Sequence, residues 1–350
     1  MSVSGKSVSG LNVSGTSGPI LDVQNLDVVY DTVSGPARAV NNVSFALRPG
    51  ERLGLIGESG SGKTTMGTAL MRLTRAPGRI AGGRVLLDGT DLLTLSPRAL
   101  RATRLRDIAL VPQGAMSALN PVMRLRRQIE DAILAHEPRT TQAQLRDRIA
   151  QLLTRVGLNP AVADRYPHEL SGGMKQRAVM AIATSLAPKV IVADEPTSAL
   201  DVVVQRQVMQ TLGRLQAGLG AAVVLIGHDM GLIAQFADTV GVMYAGRLVE
   251  LGPVAAMIGS PRHPYTRLLI DSLPGIDVKR RLAGIPGLPP PLVKLPVGCP
   301  FAPRCPLAHD RCRVDLPLSQ EVAPGHVVAC HLYPDNATLP PLTIKAEVQP

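Results

Sequence analysis

A glycine-rich run near the start of the chain has residue types suited to binding phosphate. Residues 57–64 read Gly-Glu-Ser-Gly-Ser-Gly-Lys-Thr and match the pattern G-x-x-x-x-G-K-[ST]. In this pattern backbone N–H groups wrap the phosphates, the lysine reaches the β- and γ-phosphates, and the hydroxyl binds Mg²⁺. A predicted strand and a predicted helix flank the run, so a chance glycine-rich turn is a poor alternative. The predicted nucleotide-binding residues of this phosphate loop are Gly57, Glu58, Ser59, Gly60, Ser61, Gly62, Lys63, Thr64 and Thr65.

A pair of acidic residues follows a second apolar strand. Residues 190–193 read Val-Ile-Val-Ala and lead into Asp194 and Glu195. Alone, such a pair is more often a solvated strand end. Beside a phosphate loop, Asp194 is placed to hold Mg²⁺, directly or through water, and Glu195 to polarise the attacking water as a general base.

Two more polar residues end further predicted strands. His228 follows the apolar residues 222–227 and is a candidate to contact the γ-phosphate and to orient Glu195, although a lone histidine there is usually structural or solvent-facing. Gln113 follows residues 108–112, and its side-chain amide can bind water or metal. The predicted Mg²⁺ ligands are Thr64, Gln113 and Asp194.

A second glycine-containing turn opens another predicted helix. Residues 170–177 read Leu-Ser-Gly-Gly-Met-Lys-Gln-Arg. A serine and two glycines at a helix N-terminus form either an ordinary cap or an anion-binding site. One chain that binds one nucleotide does not need two such sites. A head-to-tail dimer does, because each phosphate loop then faces the partner's turn.

Apolar periodicity predicts the elements that position these residues, and it indicates an α/β fold. Met66, Ala69, Leu70 and Leu73 predict one buried face of a helix that starts near Lys63. A second stripe, Leu145, Ile149, Leu152, Leu153 and Val156, ends at Gly157. The predicted strands are residues 26–30, 43–47, 52–57, 190–193 and 222–226, with a hairpin of residues 240–244 and 247–250.

Composition limits the function classes. The 350 residues are 45% hydrophobic and carry a formal charge of +10, which suits phosphate ligands, nucleic acid or an anionic membrane surface. Aromatic residues make up only 2%, so base stacking on aromatic platforms is a poor first hypothesis. The longest apolar run has eleven residues and no signal peptide is visible, so we expect a soluble chain made in the cytoplasm.

The chain divides into segments of different composition. Residues 1–18 repeat a Val-Ser-Gly unit and predict a disordered tail, and residues 336–350 predict a second tail. Residues 19–258 form the predicted nucleotide-binding domain, in which residues 96–186 are richer in helix. After Gly252 prolines become frequent and all four cysteines occur, which predicts a small C-terminal domain over residues 259–335.

The order of these motifs resembles the nucleotide-binding subunit of ABC transporters over about residues 20–258. The resemblance implies a P-loop ABC-type domain with a RecA-like core, an antiparallel β subdomain and a helical subdomain. It implies that Asp201 lies in a loop crossing a dimer interface, that Gln113 links Mg²⁺ to the surface facing the membrane subunits, and that Tyr30 stacks on adenine (Phe45 is the alternative). Pro112 departs from the phenylalanine common in the family. The implied contacts with the partner's nucleotide come from Ser171, Gly172, Gly173 and Gln176.

The C-terminal residues resemble the extension found in the oligopeptide, dipeptide and nickel importer group. The matching residues are His263-Pro264-Tyr265-Thr266, residues 298–306, Cys312, residues 321–326 and residues 329–332. The cysteine spacing C-x5-C-x6-C-x17-C lacks the paired C-x2-C of zinc ribbons. The resemblance implies a [4Fe–4S] cluster in some members; zinc and free structural thiols stay open, with His326 and His331 as reserve ligands. The candidate cluster ligands are Cys299, Cys305, Cys312 and Cys330.

Together, the motifs and the resemblance predict the ATP-hydrolysing subunit of a short-peptide importer, peripheral to the cytoplasmic face of the inner membrane. The implied cofactors are ATP, Mg²⁺ and the cluster. The implied partners are two permeases, a second ATPase subunit, identical or different, and an extracytoplasmic solute-binding protein, with no nucleic acid. Nickel, glycosides or opines are alternative cargoes. A non-transport ATPase acting on nucleic acid or ribosomes is the alternative of a different class.

Overall fold

The computed structural model describes residues 18–272 and 284–333; both predicted tails, apart from Gly18, lie outside this range. The strands are β1 (Leu21–Thr32), β2 (Gly35–Leu47), β3 (Arg52–Ile56), β4 (Gly78–Leu87), β5 (Thr90–Asp91), β6 (Ile108–Val111), β7 (Val190–Asp194), β8 (Ala222–Ile226), β9 (Thr239–Tyr244), β10 (Arg247–Pro253), β11 (Gln320–Ala323) and β12 (His326–Val328). The α-helices are α1 (Lys63–Leu70), α2 (Pro97–Thr103), α3 (Ala115–Ala118), α4 (Leu125–Leu134), α5 (Gln142–Arg155), α6 (Gly172–Ala183), α7 (Val202–Leu219), α8 (Met230–Phe236), α9 (Val254–Gly259), α10 (Pro264–Asp271) and α11 (Asp310–Val314). Short 3₁₀ helices lie at Pro160–Asp164, Pro167–Glu169 and Ala302–Arg304.

A mainly parallel sheet forms the centre of the molecule. Its strand order is β11-β12-β10-β9-β3-β8-β7-β6, and the five strands from β9 to β6 run parallel. Every residue of β7 and β8 is buried, because helices cover both faces of a parallel sheet. The carboxyl ends of β3, β7 and β8 therefore meet at one edge, which is where ligands bind in open α/β sheets.

An antiparallel sheet of order β2-β1-β4-β5 lies beside this core. Its strands contribute apolar residues such as Leu21 and Val28 to a core that they share with α1 and β3. The strands predicted at residues 26–30 and 43–47 lie within β1 and β2 and are confirmed.

Helices α2 to α6 occupy the stretch predicted to be helix-rich. The apolar stripe of α5 is buried, and the helix begins at a capping box between Thr141 and Gln144. One prediction is wrong in extent: α1 ends at Leu70, so Leu73 lies beyond the helix and is only partly buried. The backbone N–H of Leu73 turns back to the Thr68 carbonyl, which closes the helix end.

The C-terminal residues are built onto the central sheet. Strands β11 and β12 form a hairpin, and β12 pairs with β10. The side chain of His326 contacts the buried carboxylate of Glu250 at 2.7 Å, and Tyr265 and Phe301 belong to the main hydrophobic core. The domain limits at residues 258 and 259 stay a prediction, since the two parts share one sheet and one core.

Candidate functional site

The phosphate loop joins β3 to α1 in a conformation that requires glycine at two positions. Gly57 has φ +148°, and a Cβ there would lie 2.2 Å from the Met243 carbonyl oxygen. Gly62 has φ +102°, and its Cβ would lie 2.0 Å from the Ala39 carbonyl oxygen. Both contacts are with backbone and leave no room for a side chain. Thus β2 and β9 pack directly against the loop and fix its course.

Lys63 is buried at the start of α1 and turns its ammonium into the loop. Its Nζ donates hydrogen bonds to the carbonyl oxygens of Gly57, at 2.7 Å, and Glu58, at 2.9 Å. Burial lowers the pKa of Lys63, and the nearby carboxylates of Glu195, Asp194 and Glu58 oppose that shift. Lys63 therefore stays the predicted contact for the β- and γ-phosphates.

Thr64 and Asp194 bring together two of the predicted Mg²⁺ ligands from positions 130 residues apart in the chain. The Thr64 hydroxyl donates to the Asp194 carboxylate at 3.2 Å. Burial at the end of β7 raises the pKa of Asp194 to about 6, while the Thr64 hydrogen bond and the Lys63 charge act the other way. Hydroxyl and carboxylate oxygens are ligands that Mg²⁺ prefers, so this pair fits the predicted ion.

Glu195 lies between three side chains that the sheet edge brings together. Its backbone has φ +43°, a left-handed conformation uncommon for glutamate, and strain of this kind concentrates at functional sites. Its carboxylate accepts hydrogen bonds from the Gln113 amide at 2.9 Å and the Ser198 hydroxyl at 2.8 Å. His228 Nδ1 lies 3.7 Å from the same carboxylate, with its side chain largely exposed.

The contacts of Gln113 and Ser198 add to the sequence predictions. The side-chain amide of Gln113, a predicted Mg²⁺ ligand, is hydrogen-bonded to Glu195, and its role at the ion stays a prediction. Ser198 is a residue that sequence reasoning misses, and its hydroxyl holds the same carboxylate. The signal that could find it is its place three residues after Glu195, where a turn returns its side chain to the strand end. The Ser198 N–H donates to the Glu195 carbonyl and closes that turn.

The turn of Ser171, Gly172 and Gly173, here called the Ser171 turn, starts α6. Ser171 is the helix cap, and its exposed hydroxyl accepts a hydrogen bond from the Met174 N–H at 3.4 Å. A Cβ at Gly173 would lie 2.5 Å from the Val204 side chain, so α6 and α7 begin side by side. Asp201 caps α7 through the Val204 N–H. The buried Nε2 of Gln176 has no hydrogen-bond partner.

The Ser171 turn and the phosphate loop of one chain are not bonded to each other. Among the described residues, no hydrogen bond or ion pair joins the two. Tyr30, the predicted adenine contact, lies in β1 opposite Gly78, where a Cβ would come within 2.6 Å of its ring. Its role stays a prediction.

The four cysteines share one neighbourhood and form no disulfide. The Cys299 N–H donates to the Cys312 carbonyl at 2.8 Å. Burial raises the pKa of the Cys330 thiol to about 12, and the charges of the other three cysteines act in the same direction. In the part of the chain that is described, no three His, Cys, Asp or Glu side chains are arranged to hold a metal ion. Both reserve ligands are engaged elsewhere, with His331 Nε2 2.8 Å from the Asp315 carbonyl oxygen.

Two C-terminal residues contact the phosphate loop, and the sequence did not reveal either contact. The Arg304 guanidinium is paired with the Glu58 carboxylate, and the Tyr265 hydroxyl accepts the Glu58 N–H at 2.8 Å. Both residues lie in stretches that carried the C-terminal resemblance, but nothing in those stretches points to residue 58.

Comparison with known proteins gives the family. Residues 40–198 match the family described as ABC transporter, and residues 249–312 match "Oligopeptide/dipeptide transporter, C-terminal region". The chain is 41% identical over 326 residues to the dipeptide transport ATP-binding protein DppD of Escherichia coli, covering 92% of this chain and 99% of that one. It is 43% identical over 316 residues to the oligopeptide transport ATP-binding protein OppD of Mycobacterium tuberculosis, covering 89% of this chain and 52% of that one.

Solved structures agree with the fold. The ATP-binding cassette MJ0796, in a dimeric post-hydrolysis state bound to ADP and Pi, has a TM-score of 0.60 and 27% identity, covering 67% of this chain and 98% of that one. None of the helices in residues 18–272 and 284–333 combines the length and apolarity needed to span a bilayer. The predicted α/β ABC fold is confirmed. The chain belongs to the ABC transporter ATP-binding proteins that carry the oligopeptide/dipeptide transporter C-terminal region, and it is an ATPase.

Proposed function

We propose that this chain drives the import of short peptides by hydrolysing ATP between its own phosphate loop and the Ser171 turn of a second ATPase subunit. The observation that carries the proposal is the sheet edge where Lys63, Asp194 and Glu195 meet, in a chain whose C-terminal region matches oligopeptide and dipeptide transporters. The names of the similar proteins, dipeptide and oligopeptide transport ATP-binding proteins, support the cargo.

The mechanism follows from what each side chain can do at that edge. Loop N–H groups and the Lys63 ammonium bind the β- and γ-phosphates, for which Lys63 leaves the carbonyls of Gly57 and Glu58. Thr64 and Asp194 would hold Mg²⁺, which neutralises charge on the phosphate oxygens. Glu195 takes a proton from the attacking water, and Ser198 keeps its carboxylate in place.

The second half of the site comes from another subunit. The exposed Ser171 hydroxyl and the first N–H groups of α6 suit an anion, and the γ-phosphate of the partner's nucleotide is such an anion. Asp201 starts α7 beside them, and the exposed Val202 and Val203 that follow give this face apolar surface to bury. The partner is a second copy or a related ATPase.

Transport requires proteins that this chain does not contain. We place the chain on the cytoplasmic face of the membrane, bound to two permease subunits, with an extracytoplasmic solute-binding protein delivering the peptide. Gln113 would couple the conformation of the permeases to the nucleotide site, because its side-chain amide is hydrogen-bonded to the proposed general base, Glu195. Closing of the ATPase dimer on ATP and reopening after hydrolysis would alternate the access of the permeases.

Reconstitution tests this function. Proteoliposomes with the permeases and the partner ATPase should hydrolyse ATP faster with a peptide-loaded binding protein than with binding proteins loaded with nickel, a glycoside or an opine. Stimulation by one of those three instead would reassign the cargo. A chain that purifies with nucleic acid from the soluble fraction, and never with integral membrane proteins, would overturn the transport function.

We also propose that the four cysteines hold a [4Fe–4S] cluster. Their shared, disulfide-free neighbourhood supports this, and their spacing lacks the paired C-x2-C of zinc ribbons, so zinc is the poorer fit. A cluster at this place would stabilise the small C-terminal region, whose regular structure prolines interrupt, and it would need no redox role. Protein purified without oxygen should be brown, with about four irons per chain. Colourless, iron-free protein would remove the cluster.

A further inference from the structure

Arg304 is a buried arginine that is bonded to the phosphate loop from the C-terminal region. Its side chain is 4% exposed, and its two Nη atoms bond the two carboxylate oxygens of Glu58 at 2.6 and 2.9 Å. The paired geometry is the strong, oriented form of an arginine–carboxylate contact. Arg304 Nε donates to the Pro286 carbonyl, and Nη1 also reaches the Tyr244 hydroxyl, so the guanidinium is fixed from several sides.

Tyr265 holds the same loop residue from the other side. Its hydroxyl accepts the Glu58 backbone N–H at 2.8 Å. The ring is fully buried against Tyr244 and Phe301, with ring centroids 4.6 and 5.3 Å away. Aromatic packing of this kind leaves the hydroxyl little freedom, so the loop residue is held by a rigid group.

Glu58 is the point where these contacts reach the phosphate-binding lysine. Its carboxylate is bonded to Arg304, its N–H to Tyr265, and its carbonyl oxygen to Lys63 Nζ. The Glu58 charge also acts electrostatically on Lys63. Beside a bound triphosphate, an unpaired carboxylate at this position would repel the ligand, whereas one neutralised by a guanidinium would not.

We propose that Arg304 is a positioning residue for ATP binding: it neutralises and fixes Glu58 so that the phosphate loop presents Lys63 to the triphosphate. The C-terminal region is then a working part of the nucleotide site in the same chain. The inference rests on ATP binding alone, whatever the cargo, so its failure would leave peptide import untouched.

A plain structural staple between the C-terminal region and the core is the competing explanation. Both explanations predict lower stability when Arg304 is lost. Only the proposal predicts that removing the Glu58 charge as well restores ATP binding, because the repelling carboxylate is then gone. Only the proposal predicts that the loss shrinks at high salt, where charge repulsion is screened.

The experiment measures ATP affinity by calorimetry on the full chain, beside thermal unfolding without nucleotide. The variants are R304M, E58Q and R304M/E58Q, with R311M as the matched control, since Arg311 pairs with Asp315 on the surface of the same region. We expect R304M to bind ATP about tenfold more weakly, a change of 1.4 kcal/mol. R311M should bind like the wild type. The double variant R304M/E58Q should recover most of the affinity that R304M loses, and E58Q alone supplies the reference affinity for that comparison.

Two results would overturn the proposal. One is wild-type ATP affinity in a folded R304M. The other is a double variant that binds no better than R304M, which would leave only the staple. If R304M does not fold, R304K replaces it, because lysine keeps the charge but not the paired geometry. We expect R304K to bind ATP about threefold more weakly, and an unchanged affinity there would also refute the proposal.

Discussion

The phosphate loop and the Ser171 turn are both glycine-rich helix starts, yet they differ in their hydrogen bonds and in their exposure to solvent. In the phosphate loop, the Lys63 ammonium donates a hydrogen bond to the Gly57 carbonyl oxygen of the same loop. Neighbouring strands leave no room for a side chain at Gly57 or Gly62. In the Ser171 turn the serine itself is exposed, and among the described residues its hydroxyl is hydrogen-bonded within its own helix start. We call the phosphate loop, together with the strand ends around it, the closed half of the site, and the Ser171 turn the outward half. A site shared between two subunits requires one half of each kind.

The largest effect should come from changing Glu195, the proposed general base in the closed half of the site. E195Q removes the proton acceptor while keeping the hydrogen bonds from Gln113 and Ser198. We expect hydrolysis to fall about 10³-fold and ATP-bound dimers to accumulate, seen as a shift in size-exclusion chromatography. E137Q, which changes an exposed carboxylate paired with Arg148, is the control. Normal turnover in E195Q would refute the general-base role.

Changing the outward half should separate hydrolysis from binding. S171R should lower hydrolysis about 10²-fold, because the turn no longer fits the partner's γ-phosphate. ATP affinity, measured by calorimetry, should stay at the wild-type value, since the chain's own loop is intact. S96R is the matched control, because Ser96 also caps a helix, through the Ala99 N–H. Loss of ATP binding by S171R in its own chain would contradict the two-subunit site.

Mixing variants sharpens the same comparison for a dimer of identical subunits. A K63A chain has a damaged loop and a sound Ser171 turn, and an S171R chain has the opposite. Each pure variant should be inactive, whereas the mixed dimer contains one intact site and should recover part of the activity. No recovery on mixing, when mixed dimers are shown to form, would mean that the two halves act within one chain.

Burial of Asp194 predicts a pH-dependent stability cost. Its pKa is about 6 in the folded chain against an ordinary 3.8, so the folded state binds this proton more tightly than the unfolded state. Stability from this group is therefore lost as pH rises from about 4 to 6. D194N removes the charge and should raise the free energy of unfolding at pH 7 by roughly 1–3 kcal/mol, while hydrolysis is lost.

Urea unfolding across pH checks this sign. The gap between D194N and the wild type should widen from pH 4 to 6 and stay constant above pH 7. D164N is the contrasting control: Arg126 lowers the pKa of Asp164, so that carboxylate stabilises the fold when charged and its loss should act in the opposite direction. A D194N chain less stable than the wild type at pH 7 would show that the buried charge is better compensated than its pKa indicates.

The features best predicted from the sequence are those that depend on contiguous residues or on the ends of parallel strands. The phosphate loop is a local pattern, and the meeting of Thr64 with Asp194 follows from parallel strands sharing one edge. Arg304 and Glu58 are 246 residues apart in the chain, and no periodic pattern in the sequence predicts their contact. The same holds for β12 on β10: a three-residue strand carries too little alternation to predict its neighbour.

The smallest expected effect lies at Ser198, inside the closed half. Its hydroxyl donates to Glu195 at 2.8 Å and helps to hold a residue whose backbone is in a left-handed conformation. S198A should lower kcat about two- to fivefold with KM for ATP unchanged, because the Gln113 amide still holds the carboxylate and the net loss is then about 0.5–1 kcal/mol. S260A is the control, since the Ser260 hydroxyl donates to the Ala256 carbonyl far along the chain. If S198A changed KM rather than kcat, Ser198 would act on nucleotide binding, and the division between a phosphate-binding loop and a separately held general base would be wrong.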